Sequence, residues 1–284
     1  MTTEQLVLDL QRVDQRQIDI AAIHQGTGIY TTAPEIEALL DQLGWPTQGR
    51  RLLDPGAGNG GFLVAALSRL NLAPNDVETA AQRVHGYEFY TEAVADARRA
   101  VSNHLRNRGW TSSAAWRAAD EIVEDRDFLL SHVPAGTWDV IAANPPYWRL
   151  TNLPTGYRVD YEAIVPPHAR ADLLYAYLDR SADVVTSHGR IGLITADRWL
   201  LNSGSGELRR RLGEAVASAG GSLLAIVHPA AQVSRHAIVE DGAFIGSGNK
   251  LMSFVSEDDV DPANTRFSLT SPASLATSWK WTKS

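Results

Sequence analysis

Apolar residues recur along the chain with two spacings, and these alternate. Leu6, Leu10, Val13 and Ile20 stand at helical intervals and predict a helix over 4–20. A second helix starts at Thr32-Ala33-Pro34-Glu35, carries Ile36, Leu39, Leu40 and Leu43 on one face, and stops at Gly44. The short apolar run 51–54 reads as a buried strand, 55–61 as a glycine-rich turn and 62–70 as a helix. Strands are expected at 84–89, 138–143, 190–195 and 223–227, and two later ones at 237–245 and 251–255. Helices are expected at 91–106, 171–185 and 207–219, with a further short element at 114–119. Residues 148–169 show no clear period and contain Pro154, Pro166 and Pro167, which predicts a long irregular loop. Strands alternating with helices predict an α/β fold: a mostly parallel sheet, helices on both faces, and an antiparallel edge made by the late strands.

Composition narrows the chemistry. The 284 residues include no cysteine, which excludes disulfides, thiolate metal sites and a cysteine nucleophile. The eight histidines are scattered without metal-ligand spacing, so no metal is expected. Apolar runs fall far short of the roughly 18 residues of a membrane span, and the N-terminus lacks a signal-peptide core. The expectation is a cytoplasmic protein without a membrane partner. The net charge is −7, from 26 Lys+Arg against 33 Asp+Glu, which argues against a uniformly basic, nucleic-acid-coating surface.

Three clusters carry candidate chemistry. Asp54-Pro55-Gly56-Ala57-Gly58-Asn59-Gly60-Gly61 follows a strand, and its glycines permit tight turning and close approach of backbone to a ligand. By itself this pattern also fits a dinucleotide loop, although an acid at position 54 would repel a pyrophosphate. Glu88 stands 34 residues further on, where a carboxylate can hold ribose hydroxyls, with Phe89 beside it to cover a base. Asn144-Pro145-Pro146-Tyr147 ends the third strand. Its prolines remove backbone donors. An asparagine oxygen and a proline carbonyl then remain as acceptors beside an aromatic ring, which suits an amino group on a planar ring.

In this order, the motifs resemble the gamma-class, TaqI-like adenine-N6 DNA methyltransferases, which use S-adenosylmethionine. The resemblance spans about 28–255 and implies a Rossmann-like methyltransferase domain there. An N-terminal helical extension over 1–27 would precede it, and a tail over 256–284 would follow, without a large target-recognition domain. Gly28-Ile29-Tyr30-Thr31-Thr32-Ala33-Pro34 loosely matches the family's first motif, with Thr31 in place of a tyrosine and Ala33 inserted. The resemblance implies cofactor contacts from Tyr30, Thr32, Asp54, Pro55, Gly56, Ala57, Gly58, Glu88, Phe89 and Asn144. It adds Asp127 and Phe128 of an Asp-Phe-Leu motif 17 residues before Asn144, with Asp120 as a rival acid. Asn144, Pro145, Pro146 and Tyr147 would be catalytic, and the partner would be double-stranded DNA with its target adenine flipped out. Trp148, Arg149, Arg158 and Arg198 are candidate DNA contacts, and Tyr157, Arg170 and Arg209-Arg210-Arg211 are weaker ones. The acidic charge and short tail imply a separate specificity or complex subunit. Two other readings stay open: a protein-glutamine N5 methyltransferase, because a glutamine amide presents a similar planar amino group, and a non-catalytic subunit of a modification complex.

Overall fold

The computed structural model describes residues 31–196, 199 and 203–218, together with the backbone of five short strands between 223 and 283. The helix expected over 4–20, Tyr30 and Arg198 lie outside the described residues.

Helix α1 (Ala33–Leu43) forms as its apolar spacing predicts. Glu35 accepts hydrogen bonds from the Thr32 amide and hydroxyl, both at 2.9 Å, and Gly44 closes the helix at φ 65°. Then follow β1 (Leu52–Asp54), α2 (Gly61–Ser68), α3 (Val77–Arg83), β2 (Val84–Glu88), α4 (Thr91–Asn107), α5 (Ser112–Ile122), β3 (Val123–Asp125) and β4 (Trp138–Ala143). After these come α6 (Thr155–Ile164), α7 (Leu173–Val184), β5 (Val185–Ala196), α8 (Gly206–Ser218), β6 (Leu223–Ile226), β7 (Asp241–Ser247), β8 (Leu251–Ser253), β9 (Arg266–Leu269) and β10 (Thr282–Lys283).

One sheet contains all ten strands in the order β10-β9-β6-β8-β7-β5-β4-β1-β2-β3. The run β5-β4-β1-β2-β3 is parallel throughout, with Leu52 opposite Val84 on one side and Val140 on the other. Antiparallel pairing begins where β7 joins β5 over Arg190–Ala196. It is not confined to an edge, since β8 and β6 continue the sheet beyond β7. Strands β9 and β10 carry it further, so part of the stretch expected as a tail after 255 is sheet.

Strand alternation sorts the core into two layers. Leu52, Val84, Val140 and Ala142 point to one face and pack with α1 through α5. Leu53, Tyr87, Ile141, Ala143, Ile191 and Leu193 point to the other and pack with α6, α7 and α8. The residues at 114–119 form the centre of α5, which buries Ala114, Ala115, Ala118, Ala119 and Ile122.

The stretch 148–169 departs most from the sequence reading. It contains a 3-10 turn over Leu150–Asn152, helix α6, and a second 3-10 turn over Pro167–Ala169. Its periodicity is masked because Val159 and Ile164 are exposed while Tyr157 and Tyr161 supply the buried face. Two elements were not anticipated. Helix α3 is a single capped pair of turns, with Asp76 accepting from the Thr79 amide, and β3 is an edge strand with one buried residue.

Leu53 is fully buried at the centre of the parallel run. Leu53→Ala is expected to lower unfolding stability by about 2–5 kcal/mol through lost transfer energy and the cavity left behind. Urea denaturation monitored by circular dichroism checks this, and a loss under 1 kcal/mol would contradict the assigned core position.

Candidate active site

Strand β1 lies between β2 and β4, so the order in which strands are added to the sheet reverses there. Connections from β1 and β4 leave on opposite faces, and a crevice opens at their carboxyl ends. Asp54 ends β1 with no exposed surface. Its Oδ1 accepts from the Gly56 amide at 3.2 Å, while its Oδ2 is buried without a partner among the described residues. Burial pushes the Asp54 carboxyl up to about 8, only partly countered by the Gly56 hydrogen bond, and the Glu88 charge raises it further. Asp54 is therefore mostly neutral at pH 7.

The glycine-rich loop is anchored to β2. The Ala57 amide donates to the Tyr87 carbonyl and the Gly58 amide to Glu88 Oε2, both at 2.9 Å. Gly60 has φ 85°, and a Cβ there would lie 3.0 Å from the Ala97 Cα, so both conformation and space require glycine. Glu88 Oε1 accepts from the Phe89 and Tyr90 amides, each at 2.9 Å. Glu88 thus already organises both loops through three backbone donors, a role its position in sequence did not reveal.

Asp127 follows β3, on the same side of the sheet as Asp54 and Glu88. Its Oδ1 accepts from the Leu129 amide at 2.8 Å, and its Oδ2 accepts from the Tyr161 hydroxyl. The rival Asp120 sits on α5, before β3, exposed and 3.4 Å from Arg98. Phe128 was expected against the cofactor but is 1% exposed, with its ring centroid 5.9 Å from Tyr87 and 5.5 Å from Tyr177. It is a core residue that sets the floor under the loop. Phe89 is half-buried, with its ring 6.4 Å from Tyr157 of α6. Thr32 is exposed at the α1 N-cap, its amide and hydroxyl engaged by Glu35.

Asn144 follows β4 directly. A Cβ placed on Gly56 would come within 3.9 Å of Pro146 Cδ, so the glycine loop and the Asn-Pro-Pro-Tyr turn face each other across the crevice. Pro55 and Pro145 are buried, and Pro146 and Tyr147 are half-buried. The Tyr147 hydroxyl lies 2.6 Å from Asn144 Oδ1 and 2.7 Å from the Ile194 carbonyl, two acceptors for one proton. Asp172 locks the turn to α7: its Oδ1 accepts from the Trp148 and Leu174 amides, and the Trp148 carbonyl accepts from the Leu173 amide.

Several residues expected as nucleic-acid contacts are engaged within the fold. Trp148 packs against the core and its indole N–H is sealed from solvent. Tyr157 is 3% exposed, and Arg170 donates to the Val165 carbonyl at 2.7 Å, closing its own loop. Arg209 is buried and donates to the Trp199 carbonyl, Arg210 pairs with Glu207 and Glu214, and Arg211 pairs with Asp179 and Asp183. Arg149 remains exposed, and Arg158 lies on α6 at 3.9 Å from Glu162. Among the described residues, no group of three or more metal-ligating side chains is gathered, and no helix is long and apolar enough to cross a membrane.

The site can be set beside known proteins. The N-6 DNA methylase family model matches residues 20–217. The type II methyltransferase M.PaeR7I of Pseudomonas aeruginosa is 30% identical over 201 residues, covering 66% of this chain and 34% of that protein. M.XhoI of Xanthomonas vasicola is 30% identical over 203 residues, covering 66% and 36%. The chain spans about a third of the length of these curated relatives. The solved type I restriction-modification system methyltransferase subunit from Streptococcus thermophilus superposes with a TM-score of 0.55 at 16% identity, covering 81% of this chain and 50% of that one, a likeness of fold. On the family match over most of its length, the chain belongs to the N-6 DNA methylase family.

Proposed function

We propose that this chain carries the methyl-transfer site of a restriction-modification DNA adenine-N6 methyltransferase that uses S-adenosylmethionine. The observation that carries the reading is the Asn144–Tyr147 turn held against the Asp54–Gly60 loop at the reversal point of a parallel sheet. Family membership favours DNA over a protein glutamine as the acceptor.

The residues present fit the cofactor. Asp54 Oδ2, an orphaned buried acceptor, suits a cationic or hydroxyl-bearing group. Glu88 and Asp127, both acceptors at neighbouring strand ends, suit ribose hydroxyls and an exocyclic amino group. S-adenosylmethionine would bring an activated methyl group on a sulfonium.

An adenine amino group is a weak nucleophile because its lone pair is shared with the ring. Asn144 Oδ1 and the Pro145 carbonyl would accept hydrogen bonds from its two N–H groups, drawing the nitrogen toward tetrahedral geometry and freeing that pair for the methyl group, one proton then passing to solvent. Tyr147 can accommodate this without an unpaired group. Its hydroxyl can donate wholly to the Ile194 carbonyl when Asn144 Oδ1 accepts a hydrogen bond from the amino group. The Tyr147 ring would then stack on the extruded base. With a net charge of −7 and three arginines of α8 paired internally, recognition of the duplex is assigned to a protein partner or to a local basic surface including Arg149.

Asn144→Ala is expected to cut the single-turnover rate of tritiated methyl transfer to DNA by about a hundredfold or more, with the fold retained. A folded variant at the wild-type rate would sink the mechanism, and label entering protein instead of DNA would replace the substrate.

Asp54 generates a second test. Below about pH 8 it is protonated in the empty protein, and a bound cation favours its carboxylate. Binding of S-adenosylmethionine should therefore release up to one proton near pH 7, and affinity should rise from pH 5.5 to 7. Calorimetry in buffers of different ionisation enthalpy measures this release. Asp54→Asn should abolish it, and equal release in the variant would show that Asp54 is not its source.

A further inference from the structure

Helix α6, in the segment after the Asn-Pro-Pro-Tyr turn, sets two tyrosines one helical turn apart behind the Asp127 end of the crevice. The Tyr157 ring lies against Phe89, and the Tyr161 hydroxyl donates to Asp127 Oδ2. Tyr161 is 2% exposed and belongs to the core layer that includes Phe128. Packing accounts for its ring but not for its oxygen, since a phenylalanine would fill the same volume. Burial and the Asp127 charge raise the Tyr161 pKa well above the ordinary value, so the phenol stays protonated and donates.

The turn that carries Asp127 is built by its own neighbours. The Ser131 amide and hydroxyl donate to the Asp127 carbonyl at 2.9 and 2.6 Å, and the Leu129 amide donates to Oδ1 at 2.8 Å. Arg180 of α7 fastens the end of the turn by donating to the Ser131 carbonyl at 2.8 Å. These bonds fix the backbone and one carboxylate oxygen. Tyr161 fixes the other oxygen from a separate helix, 34 residues further along the chain. An ionised carboxylate accepts hydrogen bonds and cannot donate, and donors on both oxygens favour that form and hold its plane. Asp127 is half-buried, so a ligand in the crevice can still reach it. We propose that Tyr161 is a positioning residue that sets the base selectivity of the cofactor site. By fixing the Asp127 carboxylate as an acceptor, it favours a purine with an exocyclic amino group over one with a carbonyl oxygen at the same place. The inference rests on the cofactor reading above and adds a residue that acts through Asp127.

The test uses the full chain and two ligands, S-adenosylhomocysteine and its deaminated counterpart S-inosylhomocysteine, titrated by calorimetry. Wild type should bind the adenosine form at least about tenfold more tightly. Tyr161→Phe should weaken that form roughly three- to tenfold and leave the inosine form unchanged, so the ratio narrows. Asp127→Asn should bring the ratio toward one, because an amide can donate to a carbonyl as well as accept. Adding Tyr161→Phe to Asp127→Asn should change it no further, since the two residues act as one unit. A wild-type ratio near one, a ratio unmoved by Tyr161→Phe, or equal weakening of both ligands would overturn the proposal. So would the same narrowing in the Asp127→Asn background. Failure of Tyr161→Phe to fold, seen by circular dichroism, would assign the hydroxyl to the fold and also overturn it. Wild-type protein that binds neither ligand would bring down the cofactor reading itself, and this inference with it.

Discussion

Two carboxylates at the ends of adjacent parallel strands, Asp54 and Glu88, set the terms for the whole crevice. Parallel pairing of β1 with β2 brings Asp54 opposite Gly86, two residues from Glu88, in a region with little water. Burial disfavours a charged carboxylate there, and the two acids meet it with different sets of hydrogen bonds. Glu88 is given three backbone donors, which fix the loops on either side of it. Asp54 is given one and is driven toward its neutral form, with its second oxygen left for something from outside. Glu88 thus holds the loops together while one Asp54 oxygen stays without a partner among the described residues, a difference that follows from burial and hydrogen bonding.

Helix α6 ties the Asp127 end of the crevice to the segment that follows the Asn-Pro-Pro-Tyr turn. Tyr157 lies against Phe89, Tyr161 donates to Asp127, and the two tyrosine rings are 6.1 Å apart, one helical turn from each other. Asp172 meanwhile clamps Trp148 to the start of α7. The chain between the turn and α7 is therefore anchored at both ends. Any group bound beside Asp127 touches the same hydrogen-bonded cluster that positions α6, so the two halves of the proposed reaction share one aromatic layer.

Charge is spent inward elsewhere. Asp179, 2% exposed, is shared between His168 at 2.9 Å and Arg211, and Arg209 is buried against Trp199. Within the basic run at 209–211, which in sequence suggests phosphate binding, Arg211 ties α8 to α7 and Arg209 ties it to Trp199, while Arg210 pairs along its own helix.

The sequence by itself determined the alternation of strands and helices, the glycine loop after β1, the carboxylate ending β2 and the Asn-Pro-Pro-Tyr turn after β4. These are local matters: period-2 and period-3.6 burial, and backbone freedom at particular glycines and prolines. It could also place Asp127 and rival Asp120 along the chain, but only the sheet shows which lies at a carboxyl end. Helix α6 stayed hidden because its buried face is two tyrosines and its exposed face carries Val159 and Ile164, which blurs the period. Phe128 and Arg209 carried residue types suited to binding, yet packing buried both, while Arg210 and Arg211 are engaged in ion pairs. Tyr177 carried no motif at all. Its ring meets Gly56 and Phe128 only because α7 packs over the crevice and brings together segments that are remote in sequence. Tertiary structure decided these assignments because whether a polar group is paired, buried or left waiting depends on what the fold sets against it.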